Sequence, residues 1–219
     1  TIKADGFSTL YMDKLTALKG IYRGLAYEDE MVGYLPHCTF NLNPRAASID
    51  TPLHAYVPRP FVDHMHPDAI IAIAASSDSQ ALTVEIFGDT IGWLPWKRPG
   101  FELGLWLETF CRENPQAKGV ILASHGLFTW GDTPKECYRT TIDTINIAIS
   151  WLEARAAGQQ PFGGPAFDVL APAERSKIAS ALMVRIRGMI SADSHKIGHF
   201  DHSDAVLEFV CSKNLSPLA

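Results

Sequence analysis

Long apolar runs are missing from this sequence. No stretch approaches the roughly 20 apolar residues that a membrane-crossing helix needs. The first thirty residues also lack a basic segment followed by an apolar one, so no leader or span is expected and the cytoplasm is the expected location. Basic clusters are missing too. The formal charge is −5 and the Lys and Arg residues are scattered, which argues against a phosphate backbone as partner. The four cysteines, Cys38, Cys111, Cys137 and Cys211, form no C-x-x-C pair, which excludes a zinc knuckle or a dithiol redox motif and leaves buried free thiols as the expectation. Internal repeats, low-complexity tracts and a G-x-G-x-x-G dinucleotide fingerprint are likewise absent.

What is present is an ordinary globular composition. At 219 residues, 47% hydrophobic and 20% charged, the chain can bury one substantial core, and its length predicts a single domain. The clearest helix is expected over 134–157, where Tyr138, Ile142, Ile145, Ile149 and Leu152 recur at helical spacing. Thr133 is its expected N-cap, Pro134 its first residue, and Gly158 its left-handed close. Further helices are expected over 9–19, 68–75, 101–114, 172–190 and 204–213. Strands are expected over 61–66, 90–95, 119–123 and 127–130. Pro36, Pro44, Pro52, Pro58 and Pro60 predict turns and short extended pieces over 36–60, and 158–165 reads as a linker. Short strands alternating with longer helices define an α/β domain with one sheet covered by helices. The tight join at Ser124-His125-Gly126 predicts at least one antiparallel pair.

Within this pattern the histidines stand out. His64 and His66 are two residues apart, so an extended chain aims both imidazoles to one side, where a single metal ion could touch both. Catalytic zinc sites take three protein ligands and keep a fourth position open. His125 supplies a candidate third ligand, at a polar turn between two apolar runs and followed by a glycine that allows close backbone approach. Metal-assisted carbanion chemistry also needs a group that moves a proton. Asp50, fourteen residues before His64, can serve that role, or equally can cap a turn beside Pro52.

The other histidines carry less. His54, four residues past Asp50, is better placed for a supporting hydrogen bond than for ligation. His199 and His202 precede an expected helix start at Ser203-Asp204, where capping groups belong; His37 and His195 belong to no motif. Asp63 should face away from His64 across the strand. Lys97 and Arg98 lie in an aromatic-flanked loop and read as exposed charge.

Three blocks together, SIDTPLH at 48–54, FVDHMHPD at 61–68 and SHGLFTWGDT at 124–133, resemble the class II aldolase/adducin family. The resemblance runs from about residue 28 to 152. In wording it is nearest to the aldolase half of bacterial proteins that join a rhamnulose-1-phosphate aldolase-like domain to a short-chain dehydrogenase. It implies a three-layer α/β domain with a central mixed or largely antiparallel sheet. It further implies zinc, or another divalent metal, on His64, His66 and His125, with Asp50 as catalytic acid/base where the family carries glutamate. Ser48 matches a serine that holds the substrate phosphate, although Ile49 replaces a second serine common there. The implied activity is cleavage of a ketose 1-phosphate to dihydroxyacetone phosphate and an aldehyde; epimerisation or dehydration of a sugar phosphate, or a non-catalytic assembly role, are the alternatives on this scaffold. A homotetramer is implied as well. The family's G-N-x-S/T and K-G-S/T-G phosphate loops do not occur in the sequence, so a fragment of a longer bifunctional chain is expected.

Overall fold

Side-chain alternation along short strands sets the layers of this protein. In the computed structural model, which describes residues 3–40 and 45–215, four strands form one sheet: β1 (Phe61–Met65), β2 (Ile91–Leu94), β3 (Gly119–Leu122) and β4 (Gly126–Gly131). Their order is β1-β4-β3-β2. β4 runs antiparallel to both β1 and β3, whereas β2 runs parallel to β3, so the sheet is mixed. All four lie where the β-branched and aromatic runs predict strands.

The helices are α1 (Met12–Ala17), α2 (Glu28–Tyr34), α3 (Thr51–Tyr56), α4 (Asp68–Ala74), α5 (Ser79–Phe87), α6 (Phe101–Glu113), α7 (Pro134–Ala156), α8 (Pro172–Ile190) and α9 (Asp204–Val210). Successive strand residues point to opposite faces. Val120, Leu122, Phe128 and Trp130 therefore pack on one side against Leu53 of α3 and Leu103 and Leu107 of α6. Ile121 and Leu127 pack on the other against Ile70 and Ile73 of α4, Leu82 and Phe87 of α5, and Ala148 of α7. Helices on both faces make the three layers. A third cluster gathers Leu15 and Leu18 with Met31 and Leu35 of α2 around Tyr56 and Phe101.

The chain divides into two compact units, Thr1–Leu152 and Glu153–Ala219. The sheet and the three apolar clusters belong to the first. In the second, the helices α8 and α9 accompany a turn-rich stretch in which Phe162 meets the Phe209 ring at 5.0 Å and Pro165 bridges to Ser212. Gly158 has φ +76°, the left-handed conformation expected after α7.

Several local features differ from the sequence reading, each for a physical reason. The helix expected over 9–19 begins only at Met12, because Leu10 is extended and bridges Thr39. Within 36–60 the chain forms α3. Pro52 lies in that helix's first turn, where a missing N–H costs no hydrogen bond. Pro44 lies outside the described residues. Helices α2 and α5 follow no strong periodicity and are not predicted. The helix expected to reach 213 stops at Val210, because Cys211 and Ser212 turn back to pair with Pro165 and Ala166. At α7, Thr133 caps as expected: its hydroxyl accepts the Glu136 N–H at 3.1 Å while the Glu136 carboxylate accepts the Asp132 N–H at 3.0 Å.

An additional buried acid was not read from sequence. Glu28, 6% exposed, accepts the Tyr22 hydroxyl at 2.8 Å and the Glu102 N–H at 3.2 Å, so it caps α6 from a distant helix. Burial, and then the Glu28 and Glu102 carboxylates beside it, push the Tyr22 phenol well above its ordinary pKa.

Candidate metal centre

The site is built where β1 ends and the β3–β4 turn begins. In register, His64 lies opposite Phe128, and Met65 opposite Leu127. The turn joining β3 to β4 holds Ser124 at φ +53°, with its N–H donated to Ala74 at 2.8 Å and the His125 N–H donated to Leu122 at 3.0 Å. A serine in the left-handed region is strained unless its surroundings hold it there. Here the hairpin and the end of α4 do so, and His125 is set beside β1.

The three rings converge. Centroids are 4.5 Å apart for His64–His66, 5.0 Å for His64–His125 and 5.2 Å for His66–His125. One nitrogen from each lies within 4.8 Å of the others. A tetrahedral cation with bonds of about 2.1 Å to nitrogen holds its ligands roughly 3.4 Å apart, so about 1 Å of movement by each ring closes the set. Among the described residues, no other group of His, Cys, Asp or Glu is drawn together in this way. His199 and His202 remain apart from any such group, beside the start of α9.

The hydrogen bonds suit a cation. His64 Nδ1 lies 3.0 Å from the Leu127 carbonyl oxygen. A carbonyl can only accept, so Nδ1 carries the proton and Nε2 presents its lone pair. That Nε2 is buried with no hydrogen-bond partner, and so is His125 Nδ1. Buried polar atoms without partners are costly unless something else satisfies them. Burial holds the His64 pKa down to about 4, with the neighbouring His125 and His66 adding to the effect and the Leu127 carbonyl and Asp50 opposing it. Burial lowers His125 as well, against the pull of Asp50. The imidazoles of His64 and His125 are therefore neutral near pH 7, the form that ligates metal.

Asp50 immediately precedes α3, yet its side chain makes no capping bond. Its Oδ1 is buried and unpartnered, and its charge acts on His54, His64 and His125 alike. The carboxylate therefore faces the histidine cluster, and the turn-capping alternative is not realised. Ser48 is exposed, and its hydroxyl accepts the Asp50 N–H at 3.1 Å, which shapes the turn into α3. Asp63 faces away from His64, toward α7, as expected. Lys97 lies over the Trp106 ring at 4.4 Å and Arg98 pairs with Asp29.

Two supporting groups, the Phe128 ring and the Leu127 carbonyl, were not read as such from sequence, whereas His54 was. The Phe128 ring stacks on His64, 4.0 Å between centroids and 14° from parallel. His54 meets the same Phe128 edge-on at 5.3 Å. The Leu127 carbonyl orients His64, and a backbone group leaves no trace in sequence. Gly126 is required by close approach: a Cβ there would stand 2.8 Å from the Met65 carbonyl oxygen and collide with the His66 ring.

Comparison with known proteins agrees with the fold. The family model described as Class II Aldolase and Adducin N-terminal domain matches residues 14–151, and the chain belongs to this family. It is 38% identical over 212 residues to an uncharacterized oxidoreductase, YuxG, of Bacillus subtilis (strain 168), an alignment that takes in 97% of this chain and 30% of that relative. The chain thus spans about a third of that protein's length. The N-terminal class II aldolase domain of a conserved protein from Thermoplasma acidophilum is similar at TM-score 0.62 and 32% identity, over 69% of each chain. Among the described residues no helix is long and apolar enough to cross a membrane.

Proposed function

We propose that this domain is a divalent-metal-dependent aldehyde-lyase that cleaves a ketose 1-phosphate, of the rhamnulose 1-phosphate kind, into dihydroxyacetone phosphate and an aldehyde. The observation that carries the reading is the convergence of three imidazoles, with buried unpartnered nitrogens on His64 and His125, on a site that Asp50, whose Oδ1 is buried and unpartnered, also faces. Family membership supports the lyase class. His64, His66 and His125 would hold the cation, zinc or another divalent metal. When bound, such a cation supplies Lewis-acid stabilisation of the negative charge that develops on the carbonyl side as the carbon–carbon bond breaks.

The chain's own groups do the remainder. The Leu127 carbonyl and the Phe128 ring fix the His64 plane. Asp50 takes the hydroxyl proton from the carbon that becomes the aldehyde and returns a proton to the carbon left behind, a role worth about a hundred- to ten-thousandfold in rate. Ser48, two residues before Asp50, is the candidate for the substrate phosphate. The oxidoreductase name of the much longer B. subtilis relative supports a dehydrogenase region on the same native polypeptide.

The test is a metal titration joined to product analysis. About one divalent ion per chain is expected in the wild type and none in His64→Ala or His125→Ala. Asp50→Asn is expected to keep the metal and lose about a hundredfold or more in cleavage rate. Stoichiometric metal in His125→Ala would refute the ligand set. An epimer or a dehydrated product in place of dihydroxyacetone phosphate would move the chemistry to another reaction on the same site.

A further inference from the structure

β1 carries two of the three histidines, yet among the described residues it pairs with β4 alone and is five residues long. A strand at a sheet edge can slip or peel, and a slip of one residue turns every side chain to the other face. Such a slip would swing His64 away from His125. Something must hold the register on the face opposite the histidines.

Asp63, Thr129 and Thr141 meet there. Asp63 and Thr129 are register partners across β1 and β4, and Thr141 reaches them from α7. Thr129 is fully buried and Thr141 3% exposed. The Thr141 hydroxyl lies 2.8 Å from Asp63 Oδ2 and 2.6 Å from the Thr129 hydroxyl. Each hydroxyl has one proton, and an ionised carboxylate can only accept. The Thr141 proton therefore goes to Asp63, a stronger acceptor than the Cys137 carbonyl at 3.0 Å. Thr129 must then donate to Thr141. The result is a single directed chain, Thr129 to Thr141 to Asp63, linking two strands and a helix.

The two faces of β1 are thus locked at neighbouring residues. Phe128 stacks on His64 on one side, and Thr129 and Thr141 hold Asp63 on the other. We infer that Asp63 is a positioning residue for the metal centre, which through Thr141 and Thr129 holds β1 in the register that aims His64 and His66 at His125. This rests on the metal reading of the histidines given above.

The experiment measures Co2+ and Zn2+ affinity by competition with a chromogenic chelator, the visible spectrum of the Co2+ form, and urea unfolding of the metal-free protein. Wild type is compared with Asp63→Asn, Asp63→Ala and the near-isosteric Thr141→Val. Removing partners that support a ligand typically weakens metal binding by about ten- to a hundredfold. Asp63→Ala and Thr141→Val should fall in that range with an altered Co2+ spectrum. Asp63→Asn, whose amide oxygen still accepts from Thr141, should rescue both affinity and spectrum. Wild-type affinity and spectrum in Asp63→Ala would overturn the inference alone. So would an Asp63→Asn variant as weak as Asp63→Ala, which would assign the effect to charge, or a loss of unfolding free energy with an unchanged Co2+ spectrum, which would assign Asp63 to the fold. A wild-type protein that takes up neither metal would overturn the metal reading and this inference with it.

Discussion

Gly126→Ala isolates the close approach that brings His66 to the candidate metal centre. Gly126 is not among the positive-φ residues, so alanine fits its backbone and only space is at issue. The added Cβ would stand 2.8 Å from the Met65 carbonyl oxygen, about 0.6 Å inside ordinary contact. That obstacle is backbone and cannot rotate away. Relief requires the end of β1 to draw back from β4 at the Met65–Leu127 pair and the His66 ring to leave its place over the glycine. Overpacking of this kind costs about 1–3 kcal/mol. Displacing a ligand should weaken metal binding at least as much as losing a supporting partner does, about ten- to a hundredfold. Gly33→Ala in α2 is the matched control, because a Cβ there meets nothing within 4 Å. It should be neutral or stabilising by up to about 1 kcal/mol. Urea unfolding without metal, together with a chelator competition, reads both effects. If Gly126→Ala unfolds within about 0.5 kcal/mol of wild type, inside the usual range for a surface change, and binds metal equally well, the close-approach argument is wrong.

Three further outcomes can be checked independently. Thr133→Ala removes the α7 cap and should cost about 1 kcal/mol in unfolding free energy, with metal affinity unchanged. Glu28→Ala leaves the Tyr22 hydroxyl and the Glu102 N–H without their buried acceptor. Hydrogen bonds to charged groups contribute about 1.5–3 kcal/mol, and denaturation should show a loss of at least that size. Burial pushes the thiols of Cys111 and Cys137 up to about 12 and about 11, and raises Cys38 as well. At pH 8 these three stay protonated and inaccessible, so iodoacetamide on the native protein should label Cys211 and spare them, as peptide mapping would show.

Much of the site was legible because its signals are local. His64 and His66 share a face since strands repeat every two residues, and all four strands fall where apolar and β-branched runs end at turn residues. The helices with clear periodicity or caps, α6, α7 and α8, lie within a residue of the expected bounds. The helix α3 was obscured because proline reads as a breaker, although it fits a first turn. The four-residue separation of Asp50 and His54 was therefore not read as one helical turn. The unit boundary falls within α7, where an unbroken helical pattern gives no change of composition.

The sequence by itself determined the candidate donors, three histidines, with a candidate carboxylate to move a proton, and the alternation that divides each strand between two faces. It could also mark Gly126 as a place of close approach. Only the tertiary structure decided that the Leu127 carbonyl fixes the His64 tautomer, that Phe128 lies under its ring, and that Asp50 turns toward the histidines instead of capping its helix. The physical reason is distance along the chain. Strand period and turn chemistry act over a few residues, whereas His64 meets the 125–128 hairpin through a β1–β4 register that no local preference specifies. That register holds because residues from β1, β4 and α7 fit together on both faces of one strand.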